Sequence, residues 1–212
     1  MPAKNMRPFF SKKLFIVAAI AGWLTAVAGG MWKLCAYSFA PGAQAPAPAS
    51  RPADFAPAPT PGTFTAVLAL HPECDCSDAT LQELDSIMNQ SAGKLSVQLL
   101  FVQLPGLPPV EKSSLWQRAQ RIPGIQLLRD PLGTRARQLG AQTSGEMSLY
   151  GPEGRLRFQG GITLARGHVG ENPGASAVLS VLGQPDPAAA PLTTPVFGCA
   201  LWDQCAAATP SP

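Results

Sequence analysis

Charge is scarce in this chain: Lys, Arg, Asp and Glu make up 14% of its 212 residues, against about a quarter in an average soluble domain. Four of the basic residues, Lys4, Arg7, Lys12 and Lys13, precede residue 14, and the formal charge of the whole is only +3. The remainder is therefore near neutral. With no basic stripe and no interleaved aromatics, it offers no footprint for nucleic acid. Histidine is scarcer still, with only His71 and His168. What the chain has in excess is helix breakers, 23 Pro and 20 Gly. Long stretches must then be tail or linker, and what is left suffices for one domain of ordinary size.

The one long uncharged run is "LFIVAAIAGWLTAVAGGMW", residues 14–32. As a helix it spans roughly 28 Å at about 1.5 Å per residue, close to the hydrocarbon thickness of a bilayer. The basic segment 1–13 is expected to stay in the cytoplasm and the rest to be exported, which places a single-pass protein in an inner membrane with its domain on the periplasmic side. A cleaved signal peptide is the rival reading, because Ala26-Val27-Ala28 before Gly29 is an acceptable cleavage site. Cys35 reads as an idle thiol at the membrane edge.

Residues 33–62 are rich in Ala and Pro, culminating in "PGAQAPAPASRPADFAPAPTP". Such a segment has little to bury and favours extended polyproline geometry, so it is expected to be a spacer. A folded domain is expected over 63–183. "TFTAVLAL" and "KLSVQLLFV" read as buried strands, and "IQLLRD" as a third. A helix whose apolar positions are Ala79, Leu84, Ile87 and Met88 follows a cap at Ser77 or Asp78. "EMSLYGPEGRLRFQG" reads as two strands around a Pro-Glu-Gly turn. "ASAVLSVLG" closes the domain as a helix ending at Gly183. The order β-α-β-α-β-α-β-β-α predicts an α/β fold with a mixed sheet flanked by helices. The segment 184–212 is a second Ala/Pro stretch carrying the apolar patch "VFGCAL".

Between the first strand and the first domain helix lies "HPECDCSDATLQEL", with Cys74 and Cys76 one residue apart. A cysteine before a helix N-terminus has orphan amides and the positive end of the helix dipole nearby, and both favour the thiolate that attacks disulfides. Glu73 and Asp75 oppose this, so the expected depression of the Cys74 pKa is modest. His71 assists if its ring turns inward and is otherwise a solvated strand-end residue. A Cys74–Cys76 bond closes a very small ring and would be readily reduced, which suits an oxidant or isomerase. Alternatively Cys74 pairs with Cys199, if the "VFGCAL" patch docks back on the domain as a resolving thiol. A structural disulfide between Cys199 and Cys205 is an equal alternative for an exported chain.

These elements resemble the thioredoxin superfamily, nearest to its membrane-tethered TlpA/ResA-type branch and to RedB-type proteins. The resemblance rests on the strand leading into Cys74-Asp75-Cys76-Ser77, on Asp130, Gly133, Ala136 and Gly140, and on the hairpin "GEMSLYGPEG". It implies a thioredoxin-like domain acting in thiol–disulfide exchange through Cys74 and Cys76 with a protein thiol or disulfide partner, and no resident cofactor. Two departures stand out. Gly145 takes the place of the family's cis-proline, and Ser77 takes the place of its second cysteine. The resemblance also extends to copper-handling relatives, for which the ligand set here would be Cys74, Cys76, His71 and His168. A third expectation, of a non-catalytic binding module, follows if both departures mark a lost activity.

Overall fold

The computed structural model describes residues 9–53, 55, 62–183, 186 and 188–202. The chain divides into two units at Ser38 and Phe39. The first is one helix, α1 (Phe9–Ser38). Its stretch Lys12–Ser38, with a mean hydropathy of 2.0, is long and apolar enough to cross a membrane. It extends beyond the 14–32 run at both ends.

The second unit is built on a mixed sheet. Its strands are β1 (Phe64–Leu70), β2 (Leu95–Gln103), β3 (Ile125–Pro131), β4 (Glu146–Tyr150), β5 (Leu156–Gly160) and β6 (Leu192–Thr193), in spatial order β3-β2-β1-β4-β5-β6. β1 runs parallel to β2 and antiparallel to β4, β2 parallel to β3, and β4 antiparallel to β5. β1 is therefore central, and all seven of its residues are buried. This explains its unbroken apolar run, since a strand covered on both faces has no polar side to alternate with.

Alternate residues of β1 feed two different cores. Phe64, Ala66, Leu68 and Leu70 pack with Leu81, Leu84 and Ile87 of α2 (Ser77–Gln90), with Leu115 and Trp116 of α3 (Ser114–Ala119), and with Val178, Val181 and Leu182 of α5 (Pro173–Gly183). The apolar spacing of these helices supplies one contiguous stripe each. Phe101 and Trp116 meet edge to face at 4.9 Å.

Among the described residues, the opposite face has one helix, α4 (Thr134–Gln138), enclosed by Gly133 and Gly140 at φ 64° and 71°. Buried Asp130 accepts from the amides of Arg135 and Ala136 at 2.9 and 2.8 Å and fixes its first turn. Five helical residues cannot cover Val67, Ala69, Leu100 and Val102, and the flanking segments do the rest. Phe55, 1% exposed, packs with Val67, Leu100, Leu139 and Tyr150. Leu201, fully buried, packs with Ala69, Val102, Ala136 and Ala141, and Trp202 joins it.

The spacer expected over 33–62 is thus corrected for its described part. Ala45 N–H donates to Gly140 O, Leu156 N–H to Ala49 O, and Arg51 N–H to Gly154 O. Gln159 closes the strap from the sheet, donating to Ala45 O at 2.6 Å and accepting from Ala47 N–H at 2.9 Å. The proline-rich composition stands, but the backbone groups between the prolines are paired. The helix expected to be capped by Ser77 or Asp78 is instead preceded by Cys76 at its N-cap. The β6 strand was not expected. It forms because the C-terminal segment runs beside β5.

Candidate active site: three sulfurs at the edge of the sheet

β1 ends at Leu70, and one turn carries the chain to α2. His71 O accepts from Cys74 N–H at 3.2 Å and Cys74 O accepts from Ser77 N–H at 3.0 Å. This turn tucks Cys74 inward, 2% exposed, while Glu73 and Asp75 face solvent. Cys76 is half-buried. Across the sheet edge, the C-terminal segment returns as an extended strap. Ser144 N–H donates to Cys199 O at 2.8 Å, Leu201 N–H donates to Gln142 O at 2.9 Å, and Thr143 and Ala200 form an antiparallel bridge. The strap sets Cys199 Sγ 3.0 Å from Cys74 Sγ. The sulfurs of Cys74, Cys76 and Cys199 all lie within 4.8 Å of one another.

The surroundings treat the thiols differently. The Cys74 thiol is pulled down from 9.0 to about 5, first by the hydrogen bond from the Cys199 thiol, against burial, and then by the Ser77 hydroxyl and the Cys199 and Ser77 amides. Hydrogen bonds to the charged form favour that form. The Cys76 thiol is pushed up, first by burial and next by the charge on Cys74, with the Arg166 guanidinium opposing. Of Cys74 and Cys76, the environment thus favours the thiolate at Cys74 and opposes it at Cys76.

A second layer holds Ser77. Ser144 Oγ lies 2.7 Å from Ser77 Oγ and accepts from His71 N–H at 2.8 Å. The arrangement that serves all partners has Ser144 donating to Ser77 and Ser77 donating to the Cys74 thiolate. Gly145, at φ +95°, donates its N–H to Ala69 O at 2.9 Å. A side chain there would meet Thr80 Oγ1 at 2.9 Å. Gly145 is thus fixed by backbone geometry and by the helix opposite it.

Several expected site residues take other places. The ring of His71 is buried and its Nδ1 accepts from Glu73 N–H at 3.2 Å, so it organises the turn. His168 is exposed in the loop after β5, and neither histidine joins the sulfur group. That loop is fastened by Glu83 of α2, which accepts from Gly170 N–H at 2.6 Å and from Asn172 Nδ2 at 3.2 Å. Arg166 donates to the carbonyls of Gly198 and Ala40 and so grips the strap. Cys205 lies outside the described residues, and Cys35 is exposed on α1. The expected modest depression of Cys74 is corrected to a large one, because its main cause is a thiol 125 residues away in sequence. Ser144 and Arg166 were missed as site residues. Neither lies in a motif, and both act through the strap or the serine pair.

A cavity of about 270 Å³ opens beside Cys74 between Pro72, Asp78, Ser114, Leu115 and Arg118. Asp78 and Arg118 form an ion pair there.

Neither a family model nor a curated protein matches the sequence. Solved structures do match. A hypothetical protein, SMc02350, from Sinorhizobium meliloti 1021 superposes with a TM-score of 0.52 at 22% identity, covering 68% of this chain and 81% of its own. An uncharacterized conserved protein from Geobacillus kaustophilus gives 0.53 at 18% identity, covering 79% and 95%. The pneumococcal exposed lipoprotein thioredoxin (Etrx1) of Streptococcus pneumoniae strain TIGR4 gives 0.41 at 17% identity, covering 57% and 84%. By its own topology, a β2-β1-β4-β5 core with β1 parallel to β2, β4 antiparallel to both neighbours and helices packed on the sheet, the domain has a thioredoxin-like fold, with a cysteine group where β1 meets α2, and the chain has an N-terminal helix fit to cross a membrane.

Proposed function

We propose that the protein is a membrane-tethered, extracytoplasmic thiol–disulfide oxidoreductase of the TlpA/ResA or RedB type, with Cys74 as its nucleophile. The observation that carries this reading is the Cys74–Cys199 pair: a buried sulfur, ionised near neutral pH, with a second thiol at 3.0 Å. The Cys74 thiolate attacks one sulfur of a partner disulfide. A Cys74–partner bond forms, the partner's S–S bond breaks, and its other sulfur leaves as a thiolate that takes a proton from water. Cys199 then loses its proton to solvent and attacks Cys74 Sγ. The Cys74–Cys199 bond forms and the partner's first sulfur is released. Two electrons pass from the dithiol to the partner, and the same steps run in reverse for a partner dithiol.

Cys199 is better placed than Cys76 for the second step, because burial and the Cys74 charge keep Cys76 protonated. Lys12 and Lys13 at the start of α1 support a cytoplasmic N-terminus and a periplasmic domain in an inner-membrane protein.

The test uses the reduced full-length chain in detergent. The rate at which it reduces a model disulfide in a single turnover, followed against pH, should rise through a midpoint near pH 5. Cys74→Ser should abolish it. Retention of full rate in Cys74→Ser would overturn the assignment.

One observation favours a second reading. Three sulfurs within 4.8 Å form a soft donor set that suits Cu(I), and the histidine-containing set does not fit, since neither histidine joins them. Cys74, Cys76 and Cys199 would hold the ion as thiolates. The reduced chain would then bind one equivalent of Cu(I), lost in Cys199→Ser and kept in His168→Ala. No uptake would exclude it.

A further inference from the structure

Cys74 is 2% exposed, yet it lines the cavity of about 270 Å³ between the turn, α2 and α3. At about 30 Å³ per water molecule, that space takes a molecule of a few heavy atoms and leaves every element where it is. The lining holds two carboxylates, Asp75 and Asp78, against the one guanidinium of Arg118, which is already paired with Asp78. It offers an anion nothing, so the small molecule it suits is neutral. Among the described residues, none of the strap 196–201 reaches the lining. Cys199 therefore meets Cys74 from another side, with the two sulfurs at 3.0 Å.

The neighbours of Cys74 narrow the class of that molecule. Oxidation of a thiolate by an oxygen-atom donor gives a sulfenic acid, which a second thiol converts to a disulfide and which otherwise goes on to irreversible acids. Cys199 is in place for that conversion with the strap docked and its hydrogen bond to Cys74 intact. Ser114 and Arg118, both in the lining, are the donors that a departing oxygen would meet. We infer that Cys74 also reduces small neutral hydroperoxides, of which hydrogen peroxide is the simplest, and that the cavity beside it is their entrance. This rests on the assignment of Cys74 as the nucleophile and adds an oxidant to the proposed exchange.

The Cys74 thiolate attacks one peroxide oxygen. An S–O bond forms, the O–O bond breaks, and the other oxygen leaves as hydroxide, which takes a proton from solvent. Cys199 gives up its proton to solvent and attacks Cys74 Sγ. The S–S bond forms, and the sulfenic oxygen leaves as hydroxide and is protonated to water. Two electrons pass from the dithiol to the peroxide, and the products are the Cys74–Cys199 disulfide and two waters. A partner dithiol restores the pair by the exchange described above.

The experiment mixes the reduced full-length chain in detergent with hydrogen peroxide at about pH 9, where free cysteine is itself mostly thiolate. Comparison with free cysteine then reads the site and not the ionisation. The Cys74–Cys199 disulfide, identified by mass after the remaining thiols are alkylated, should form at least about tenfold faster than free cysteine is oxidised, a barrier lower by about 1.4 kcal/mol. This comparison needs no variant. Ser114→Trp, at an exposed helix position, fills the cavity and should slow the step by a similar factor. Cys199→Ser should leave a Cys74 sulfenic acid that a dione reagent captures. A Cys74 rate no greater than that of free cysteine, or one that Ser114→Trp leaves unchanged, would overturn the inference. A model disulfide offered in a parallel reaction separates the two readings. Exchange without peroxide reduction removes this inference and leaves the exchange reading, and peroxide reduction without exchange does the reverse. Failure of both removes Cys74 as the nucleophile.

Discussion

The two faces of the sheet are covered in different ways. On one, α2, α3 and α5 lay contiguous apolar stripes over Ala66, Leu68 and Leu70. On the other, Val67 and Ala69 are covered by a five-residue helix and by single anchors, Phe55 and Leu201, from segments outside the central fold. A helix repeats its anchor every turn, so losing one contact leaves the rest in register. A strap held by a few anchors, Val196, Leu201 and Trp202, and by single backbone bonds has far less to lose on opening than a packed helix. The reactive Cys74 sits at the seam. Its backbone belongs to the turn into α2 on the permanent face, and the thiol that ionises it belongs to the removable one.

The largest expected effect comes from the permanent face. Leu84→Ala should lower the unfolding free energy by ~2–5 kcal/mol, the usual cost of truncating a fully buried leucine, as read from chemical denaturation. Leu201→Ala removes an equally buried leucine, yet the strap can lift off, so its main result should be faster alkylation of Cys199. Equal losses of global stability in the two variants would break the distinction between the faces.

Next is the pH dependence of the reduced protein. Cys74 titrates near 5 when folded and about 8.5 when unfolded. A depressed pKa contributes stability fully present above the unfolded value and lost as pH falls toward the folded one. Relative to Cys74→Ser, the reduced chain should therefore lose on the order of 4 kcal/mol between about pH 9 and pH 5. A flat difference over that window would show that the strap does not ionise Cys74.

Phe55→Ala should cost about 1–3 kcal/mol, limited by the free energy with which its own segment docks. Proteolysis between residues 39 and 62 should accelerate in the same variant. Smallest is Arg137→Gln. The guanidinium stacks 3.7 Å over the Trp202 ring, and at an exposed site such a contact is worth about 0.5–1 kcal/mol. The readout is a slight rise in Cys199 alkylation.

The division between faces also explains what could be read from sequence. Strands 63–70, 94–102 and 125–130 and the helix positions Leu84 and Ile87 carry their periodicity locally, so they were legible. Asp130, Gly133, Ala136 and Gly140 were legible as a pattern because each answers a local backbone need, a capped amide pair or a positive φ. The packed role of 39–53 was not, because alternating Ala and Pro looks the same whether its carbonyls meet water or Gln159. Ser144 and Arg166 were illegible for a related reason. Their partners are the Ser77 hydroxyl and the Gly198 carbonyl, which leave no trace in their own neighbourhoods. Cys199 was visible as a candidate thiol in an apolar patch, but nothing in the sequence distinguished Cys74 from Cys205 as its partner.

The clasp between the two flanking segments, in which Gly42 N–H donates to Val196 O at 2.8 Å, bears on competition with small thiols. Cys199 is joined to the end of α5 by a short stretch of chain, so even when the strap is loose its thiol stays near Cys74 at an effective concentration of about millimolar. The clasp raises that figure by restricting where the strap can wander. A free thiol at micromolar concentration would then lose the race for a mixed disulfide on Cys74 by roughly a thousandfold. In the proposed exchange, closure by Cys199 would become the default fate of every intermediate, and the chain would be insulated from the thiol pool around it.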